Sequence, residues 1–516
     1  MKKVYKVSKW IHKWLSIILS VFLIWMSISG ILLNHPEFIT QITVPSWMLP
    51  GEYNLVNWNR SSIIQAEYSE NVKGKAYFGG HEGIVMTTDG GYSFKNMNIN
   101  GYPISAFSKK TKSIALVETP ENELLFAGNF DGLYRYSGDN KYWKKLNLPT
   151  NDTKVMKLVR VGDSLLVATD SEMFIGKISN GKMKFRKLSL ERIDENPSMT
   201  MIEFFFQLHS GELWGLPGKL VFDVGAIILL FLSISGLYLW LSPKYRKMKE
   251  RRKMKRGSNH TSWFYKYHLK LGIWSFALLL VFAVTGLYMR PPMIGQLIGE
   301  DIALKYVPVS NPTNPWKHRI RNAMFDVATN KMIIDTKDGY WVSDTGIYGK
   351  FSKEIPPVPI FAMGATVLQN DDRGDILLGS FAGLFRVTNT GLFAENLLDD
   401  DAPLVSSVRP GANLITGYFK EPGGYEYVTT HFGGLLNVQY PMMRTNKFKM
   451  PEFLKENYGM SLWNYLFELH NGRIFQALVG DYYILIIPLS ALMFMLVIVT
   501  GVIDWLYLKF KRRGGV

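Results

Sequence analysis

Residues 10–33 read WIHKWLSIILSVFLIWMSISGILL, and residues 266–288 read KYHLKLGIWSFALLLVFAVTGLY. Each stretch contains an apolar run of about 20 residues, the length that a helix needs to cross about 30 Å of hydrocarbon. Two further runs of this kind occur later in the chain. The sequence therefore predicts a bundle of four transmembrane helices, at residues 14–33, 220–241, 269–289 and 482–506.

Positive charge is concentrated beside these runs. Lys and Arg number five in residues 1–13, ten in residues 242–266 and four in residues 509–516, against a single acidic residue. The whole chain has a formal charge of +16, so the remainder is nearly neutral. Because basic residues mark the cytoplasmic ends of membrane helices, we expect both termini to lie in the cytoplasm. The basic loop at residues 244–256 lies next to two spans, so we expect it to have no nucleic-acid partner.

This orientation places most of the chain outside the cytoplasm. The absence of cysteine fits an exported protein without disulfides, and it excludes thiolate ligation of haem or of an iron–sulfur cluster. The predicted organisation is a first span (1–35), a first extracytoplasmic segment (36–208), a second and third span with the basic loop (209–289), a second extracytoplasmic segment (290–469) and a fourth span (470–516).

A repeated pattern occurs in both extracytoplasmic segments: a short hydrophobic strand, a small residue, then in most copies a glycine, and a second apolar strand. Its six copies cover residues 77–85, 124–134, 165–175, 333–341, 376–385 and 427–436. Copies within a segment are about 40 to 50 residues apart, the period of a β-propeller blade. Because separate half-rings would expose strand edges, we expect the two segments to form one six-bladed β-propeller-like domain. Glycine-rich strands of a β-sandwich would give a similar pattern.

The first and third spans share a histidine in the same register. His12 precedes Gly30 by 18 residues, and His268 precedes Gly286 by 18 residues. This spacing corresponds to about 27 Å of helix in each span. We therefore expect His12 and His268 to lie at equal depth, at the cytoplasmic border.

A second shared motif precedes the other two spans. Residues 206–213 read FQLHSGEL and residues 467–474 read FELHNGRI, which places His209 and His470 at the opposite border. The chain is therefore predicted to be a duplication, in which a span, three blades and a span occur twice.

The four histidines are candidate ligands of haem iron. Two facing imidazoles can bind the iron axially from both sides, and small helix residues leave room for a flat macrocycle. An imidazole near a bilayer is costly without a partner, which favours this role over a purely interfacial position. A non-haem metal is a weaker alternative, because the four histidines do not share a pattern of neighbouring carboxylates or cysteines that would complete a coordination sphere. We predict two b-type haems, one bound by His12 and His268 and one by His209 and His470.

Parts of the membrane sequence resemble a known family. The stretches LHSG (208–211), SGLYLW (235–240), YHLKLG (267–272) and VTGLY (284–288) resemble the PepSY-associated transmembrane helix family. That family includes haem-containing inner-membrane reductases of ferric siderophores, so the resemblance implies a protein of the bacterial inner (cytoplasmic) membrane. The resemblance covers the spans and their histidine motifs, about a quarter of the chain, and no PepSY domain is recognised in the exported segments.

Other polar residues near the spans have several interpretations. His35 is either an alternative outer ligand or a local polar contact, and we favour the contact. Asp223 and Asp481 can accept the N–H of a ligand imidazole, hold a partner of a haem propionate, or face water. Arg290, Arg473 and Lys219 are candidate partners of haem propionates or ordinary residues of span ends.

Function is inferred from the expected electron path. Two haems across a bilayer would connect its two sides, and the chain lacks a glycine-rich dinucleotide fingerprint. We therefore expect membrane quinol or a separate cytoplasmic protein as donor. By resemblance, the expected activity is that of a transmembrane oxidoreductase that reduces a ferric siderophore or another ferric chelate outside the cytoplasm. The alternatives are a non-catalytic, membrane-anchored propeller that binds a ligand or partner and, third, a haem transporter.

Overall fold

All four predicted spans are helical. The structure is a computed structural model that describes residues 2–118, 123–138, 141–179, 182–251, 260–307, 314–360, 364–388, 391, 393–398, 414–441 and 446–512. Four helical stretches are long and apolar enough to cross a membrane: Lys2–Asn34, Glu212–Ser242, His260–Tyr288 and Arg473–Lys511. The predicted spans are thus confirmed, and the chain is a membrane protein. Residues 252–259 of the basic loop and the terminal residues 513–516 lie outside the described residues.

The chain divides into a helical unit and a β unit. The helical unit comprises Met1–Thr40, Pro197–Ser310 and Leu462–Val516, and the β unit comprises Gln41–Asn196 and Asn311–Ser461. The helices in chain order are α1 (Lys2–Asn34), α2 (Met201–Ser210), α3 (Gly215–Arg251), α4 (His260–Tyr288), α5 (Glu452–Glu456), α6 (Leu462–His470), α7 (Gln476–Val479) and α8 (Ile486–Arg512).

The four long helices form a bundle in which α1 packs on α3 and α8, and α4 packs on the same two helices. Their common core contains Leu19 and Leu23 of α1, Leu229 of α3, Leu279 and Ala283 of α4, and Phe494 and Ile498 of α8. Apolar residues also cover the outer surface of these helices, as expected for segments that face lipid.

Two short helices, α2 and α6, lead into the second and fourth spans. The hydroxyl of Thr200 caps the start of α2 by accepting a hydrogen bond from the Glu203 amide. Each short helix ends just before a glycine with positive φ, Gly211 at +76° and Gly472 at +81°. A glycine reaches this conformation without steric cost and reverses the chain into the following span. These glycines therefore explain the shared LHSG and LHNG motifs.

The β unit consists mainly of six antiparallel sheets. The strands in chain order are β1 (Thr43–Pro45), β2 (Gln65–Tyr68), β3 (Ala76–Gly80), β4 (Gly83–Thr87), β5 (Lys95–Asn96), β6 (Thr111–Glu118), β7 (Glu123–Asn129), β8 (Leu133–Ser137), β9 (Tyr142–Leu146), β10 (Val155–Val161), β11 (Ser164–Thr169), β12 (Met173–Ser179), β13 (Lys182–Lys187), β14 (Glu191–Ile193), β15 (Ser198–Thr200), β16 (Asp301–Ala303), β17 (Ile320–Asp326), β18 (Lys331–Thr336), β19 (Gly339–Ser343), β20 (Lys350–Glu354), β21 (Val367–Asn370), β22 (Ile376–Ser380), β23 (Gly383–Val387), β24 (Ala394–Asn396), β25 (Ile415–Lys420), β26 (Glu426–Thr430), β27 (Gly434–Asn437) and β28 (Gly459–Ser461). The six sheets begin at β2, β6, β10, β17, β21 and β25.

Each predicted copy of the repeat is a hairpin made by the second and third of the consecutive strands of one sheet. The hairpins pair β3 with β4, β7 with β8, β11 with β12, β18 with β19, β22 with β23 and β26 with β27. The first strand of each sheet contacts that of the next sheet, and β25 of the last sheet contacts β2 of the first. The first and last sheets share an aromatic core, in which the Phe78 and Phe419 rings are 5.2 Å apart.

Among the described residues, two strand pairs join the two long segments of the β unit. Strand β14 pairs in parallel with β20, and β1 pairs antiparallel with β28. A third pair, β15 with β16, lies in the helical unit. This pair ties residues next to α2 to residues that follow α4, and the compact β unit itself comprises residues 41–196 and 311–461.

Candidate functional site

The four candidate histidines meet as the two expected pairs. The ring centroids of His12 and His268 are 6.5 Å apart, with an angle of 90° between the ring planes. The centroids of His209 and His470 are 6.4 Å apart, with an angle of 74°. We call these the inner pair and the outer pair. Their members come from α1 and α4, and from α2 and α6, respectively.

Every one of these histidines uses Nδ1 to contact a hydroxyl group on another helix. The Nδ1–oxygen distances are 2.8 Å from His470 to Ser29, 2.8 Å from His268 to Ser235, 2.7 Å from His209 to Thr285 and 3.4 Å from His12 to Thr500. His12 has a closer partner as well, the Val497 carbonyl oxygen at 2.9 Å. Because a carbonyl only accepts hydrogen bonds, Nδ1 of His12 carries the proton.

The other three hydroxyls indicate the same tautomer. A hydroxyl has one hydrogen to donate, and these groups donate it to a backbone carbonyl of their own helix. Ser29 donates to Trp25 O at 2.9 Å, Thr285 to Val281 O at 2.6 Å and Ser235 to Leu232 O at 3.1 Å. Each hydroxyl oxygen then accepts the imidazole N–H, which leaves the lone pair of Nε2 free to bind a metal.

A glycine follows each of these hydroxyl residues and lies against the same imidazole. A Cβ atom would lie 3.5 Å from His470 Cε1 at Gly30, 3.5 Å from His268 Cε1 at Gly236, 3.7 Å from His209 Cε1 at Gly286 and 3.1 Å from His12 Cε1 at Gly501. The Ser/Thr-Gly pair thus supplies both a hydrogen-bond acceptor and close access to the ring. In the sequence these pairs only marked corresponding span ends, although their recurrence in all four spans was the available signal for this role.

The hydroxyl contacts always cross between the two halves of the duplication. Ser29 and Ser235 of the first half hold His470 and His268 of the second. Thr285 and Thr500 of the second half contact His209 and His12 of the first. Neither half alone therefore contains a complete environment for its own histidines.

Asp223 has a different role from those considered from the sequence. Its carboxylate accepts a hydrogen bond from Asn34 at 3.0 Å and contacts His35 Nε2 at 2.8 Å. The hydrogen bond to Asp223 raises the pKa of His35. His35 is thus a local polar contact, as favoured, and hydroxyl groups rather than Asp223 hold the outer pair. Lys219 forms an ion pair with Glu212 at 3.3 Å.

Two arginines lie near each other: Arg290 follows the end of α4, and Arg473 follows α6, which carries His470 of the outer pair. Burial and then the charge of Arg473 lower the pKa of Arg290 to about 10. The Nε atom of Arg290 is buried and has no hydrogen-bond partner among the described residues. Arg473 forms an ion pair with Glu468 at 3.2 Å, and the charges of Tyr483 and Glu468 offset part of the lowering of the Arg290 pKa. Arg290 Nε itself still lacks an acceptor in the described part of the chain, which is unfavourable for a buried donor unless an anionic group accepts its hydrogen bond. The carboxylate groups of a haem would meet this requirement.

Solved structures give only weak similarity to this chain. The extracellular domain of a putative hybrid two-component system from B. thetaiotaomicron is 12% identical, with a TM-score of 0.34 over 72% of this chain and 32% of that chain. An ancestral GH74 enzyme is 9% identical, with a TM-score of 0.35 over 74% of this chain and 45% of the enzyme. The chain thus spans about a third and less than half of these two proteins, and such TM-scores do not establish a common fold.

Family membership comes from the sequence itself. No curated protein matches the chain. The sequence model of the PepSY-associated TM region, by contrast, matches residues 137–507, more than two thirds of the chain. The match begins after the first span and includes residues 311–461 of the β unit, so it extends beyond the spans that carried the resemblance. The chain belongs to the PepSY-associated TM region family.

Proposed function

We propose that the protein binds two b-type haems and carries electrons across a bacterial inner membrane to a ferric chelate outside the cytoplasm. The observation that carries this proposal is the separation of the paired imidazoles, 6.5 Å in the inner pair and 6.4 Å in the outer pair. A metal–imidazole bond is about 2 Å long. Bonds of about 1.3 Å place a ring nitrogen about 1.1 Å from its ring centre. Two imidazoles on opposite sides of one metal ion therefore have centres about 6.2 Å apart.

The protein's own groups support the same assignment. The hydroxyl and carbonyl partners keep Nδ1 protonated, so each imidazole is a neutral ligand with a fixed ring orientation. Arg290 and Arg473 supply positive charge for the haem carboxylates near the outer pair. Bound haem would supply one-electron transfer.

The two pairs are far enough apart to serve opposite sides of the membrane. Ser29, the partner of His470, lies 17 residues beyond His12 on α1. At about 1.5 Å per residue this is roughly 25 Å along the helix. The basic N-terminal segment precedes His12, so we place the inner pair at the cytoplasmic side by the distribution of Lys and Arg.

Quinol is the simplest donor that fits this scheme, and a cytoplasmic protein is the other. One quinol loses two electrons and two protons and becomes quinone, while two ferric ions each gain one electron. The ferrous ion binds hard oxygen ligands more weakly and so leaves the chelate.

For the β unit we propose a six-bladed propeller. Six sheets with equivalent hairpins, and contacts from β25 back to β2, support ring closure. Two further links join the first and last sheets: the Tyr418 amide donates to Ile64 O at 3.2 Å, and the Thr429 hydroxyl donates to Ile63 O at 2.8 Å. Closure would bury the apolar faces that the first and last sheets of an open half-ring would leave in water, and these two sheets do share one apolar core.

Haem content is the first test. We expect protein purified in detergent from haem-replete cells to show a dithionite-reduced b-type spectrum and two haems per chain. A folded, colourless protein would overturn the proposal and favour the non-catalytic receptor.

The second test is reduction of a panel of ferric chelates by quinol, with the protein in liposomes and the ferrous product detected with a ferrous-specific dye. Full haem loading without reduction of any chelate by quinol or dithionite would reject the ferric-reductase activity alone.

A further inference from the structure

A second group of metal-ligating side chains lies in the β unit. One ligand atom each from Asp152, Asp170 and His318 lies within 4.8 Å of the other two. Asp152 follows β9, Asp170 lies in the turn between β11 and β12, and His318 directly precedes β17. The three residues therefore come from both exported segments. They share no residue with the two histidine pairs.

The geometry is close to that of a bound ion. Ligands about 2.1 Å from a metal ion are about 3 to 4 Å from one another. His318 Nδ1 is already 3.1 Å from Asp170 Oδ2. Ser171 fixes both groups, because its hydroxyl donates to Asp170 Oδ1 at 2.7 Å and accepts from the His318 amide at 3.0 Å. Only a small movement of the three ligands is needed to surround an ion.

The donor set selects the class of ion. Two carboxylates and one neutral imidazole suit a divalent first-row transition metal, whereas calcium prefers oxygen ligands alone. The side chain of His318 is 55% exposed, so water can complete the coordination. Lys154 lies near Asp170 and His318 and opposes a cation, but its side chain is exposed and its charge is screened by solvent.

We propose that Asp152, Asp170 and His318 bind one divalent transition-metal ion, which ties the first exported segment to the second. An ordinary ion pair between His318 and Asp170 is the simpler explanation of part of this geometry. The Asp152 amide donates to the Thr150 hydroxyl at 3.1 Å, and the charge of Asp152 helps to raise the pKa of His318. Among the described residues its carboxylate forms no ion pair and no hydrogen bond, so the His318–Asp170 pair does not explain its position. Asp152 is thus the residue that distinguishes the two explanations.

The test uses full-length, haem-loaded protein in detergent, freed of adventitious metal and titrated with Zn²⁺ during equilibrium dialysis. We expect the affinity of this site for Zn²⁺ to be at least about tenfold weaker in Asp152→Asn or His318→Ala than in wild type. At Zn²⁺ concentrations that fill only the wild-type site, wild type should therefore bind one more Zn²⁺ per chain than either variant. His431→Ala, which removes another histidine of the β unit, should behave as wild type. Zn²⁺ should also raise the Tm of wild type but not that of Asp152→Asn.

Asp152→Asn keeps the ion pair between His318 and Asp170, so its Tm without metal should be close to that of wild type. An unchanged Tm would show that the variant folds. Equal Zn²⁺ stoichiometry and affinity in wild type and Asp152→Asn would overturn the proposal. The measurement does not depend on electron transfer, so it can fail while the haem proposal stands.

Discussion

The inner and outer histidine pairs have nearly the same separation but are built on different backbones. The inner histidines belong to long helices, α1 and α4. The outer histidines lie near the ends of α2 and α6, which are ten and nine residues long. Each of these short helices is followed by a glycine in the left-handed conformation. Nearly the same separation of paired imidazoles is thus obtained from long, continuous helices at one end of the bundle and from short helices followed by a glycine turn at the other.

Their hydrogen-bond partners differ in a related way. In the outer pair each Nδ1 contacts a hydroxyl at 2.7 or 2.8 Å. In the inner pair His268 contacts its hydroxyl at 2.8 Å as well, whereas His12 has a backbone carbonyl at 2.9 Å and its hydroxyl only at 3.4 Å. We therefore expect the outer pair to be more sensitive to substitutions in the backbone turn, and His12 to be less sensitive than the other three histidines to loss of its hydroxyl partner.

The largest expected effect is the loss of one haem from a single pair. His470→Ala should reduce the content from two haems per chain to one and leave the inner pair loaded, and His268→Ala should do the reverse. Haem extraction and the reduced absorption spectrum measure this directly. Loss of both haems from each variant, with helical content unchanged, would show that the two sites are not independent.

A somewhat smaller effect is expected at the turn after α2. Gly211→Ala places a residue with a Cβ at φ +76°, and that atom would lie 2.5 Å from Gly218 O. We expect most of the outer haem to be lost and the inner haem to remain. Gly272→Ala is the matched control in α4, because its Cβ would meet only Leu232, at an ordinary 3.9 Å. Equal haem loss in both variants would contradict a specific role for the turn.

Removal of the hydroxyl partner should have a smaller effect, which again differs between the two pairs. Thr285→Val deprives His209 of its acceptor, whereas Thr500→Val leaves His12 the carbonyl of Val497. We expect about tenfold faster haem release from the outer site of Thr285→Val and little change at the inner site of Thr500→Val. Haem transfer to an excess of apomyoglobin gives both rates. If Thr500→Val has the larger effect, the tautomer argument for the inner pair is wrong.

The smallest effect concerns the glycines that contact the imidazole edges, and here His12 of the inner pair has the tightest of the four contacts. A Cβ at Gly501 would lie 3.1 Å from His12 Cε1, whereas a Cβ at Gly286 would lie 3.7 Å from His209 Cε1. Gly501→Ala should therefore shift the midpoint potential or the spin state of the inner haem, and Gly286→Ala should leave the outer haem nearly unchanged. Redox titration followed optically distinguishes the two results.

The sequence alone determined the spans, the hairpins and the pairing of the histidines. Apolar runs long enough for a bilayer identify membrane helices, because the bilayer core cannot satisfy an exposed backbone. The six hairpins were visible because strand–turn–strand patterns, most of them with a glycine in the turn, are local in the chain. The duplication placed His12 level with His268, and His209 level with His470, without any knowledge of packing.

Only the tertiary structure decided which groups surround these histidines. Ser29 and His470 are 441 residues apart in sequence, and their contact depends on the packing of α1 against α6. Likewise, Asp223 was a candidate partner of a ligand imidazole, but the packing of α1 against α3 brings its carboxylate into contact with Asn34 and His35 instead. Side chains on different helices come together through helix packing, which depends on the whole set of interdigitating residues and is not encoded by any local pattern.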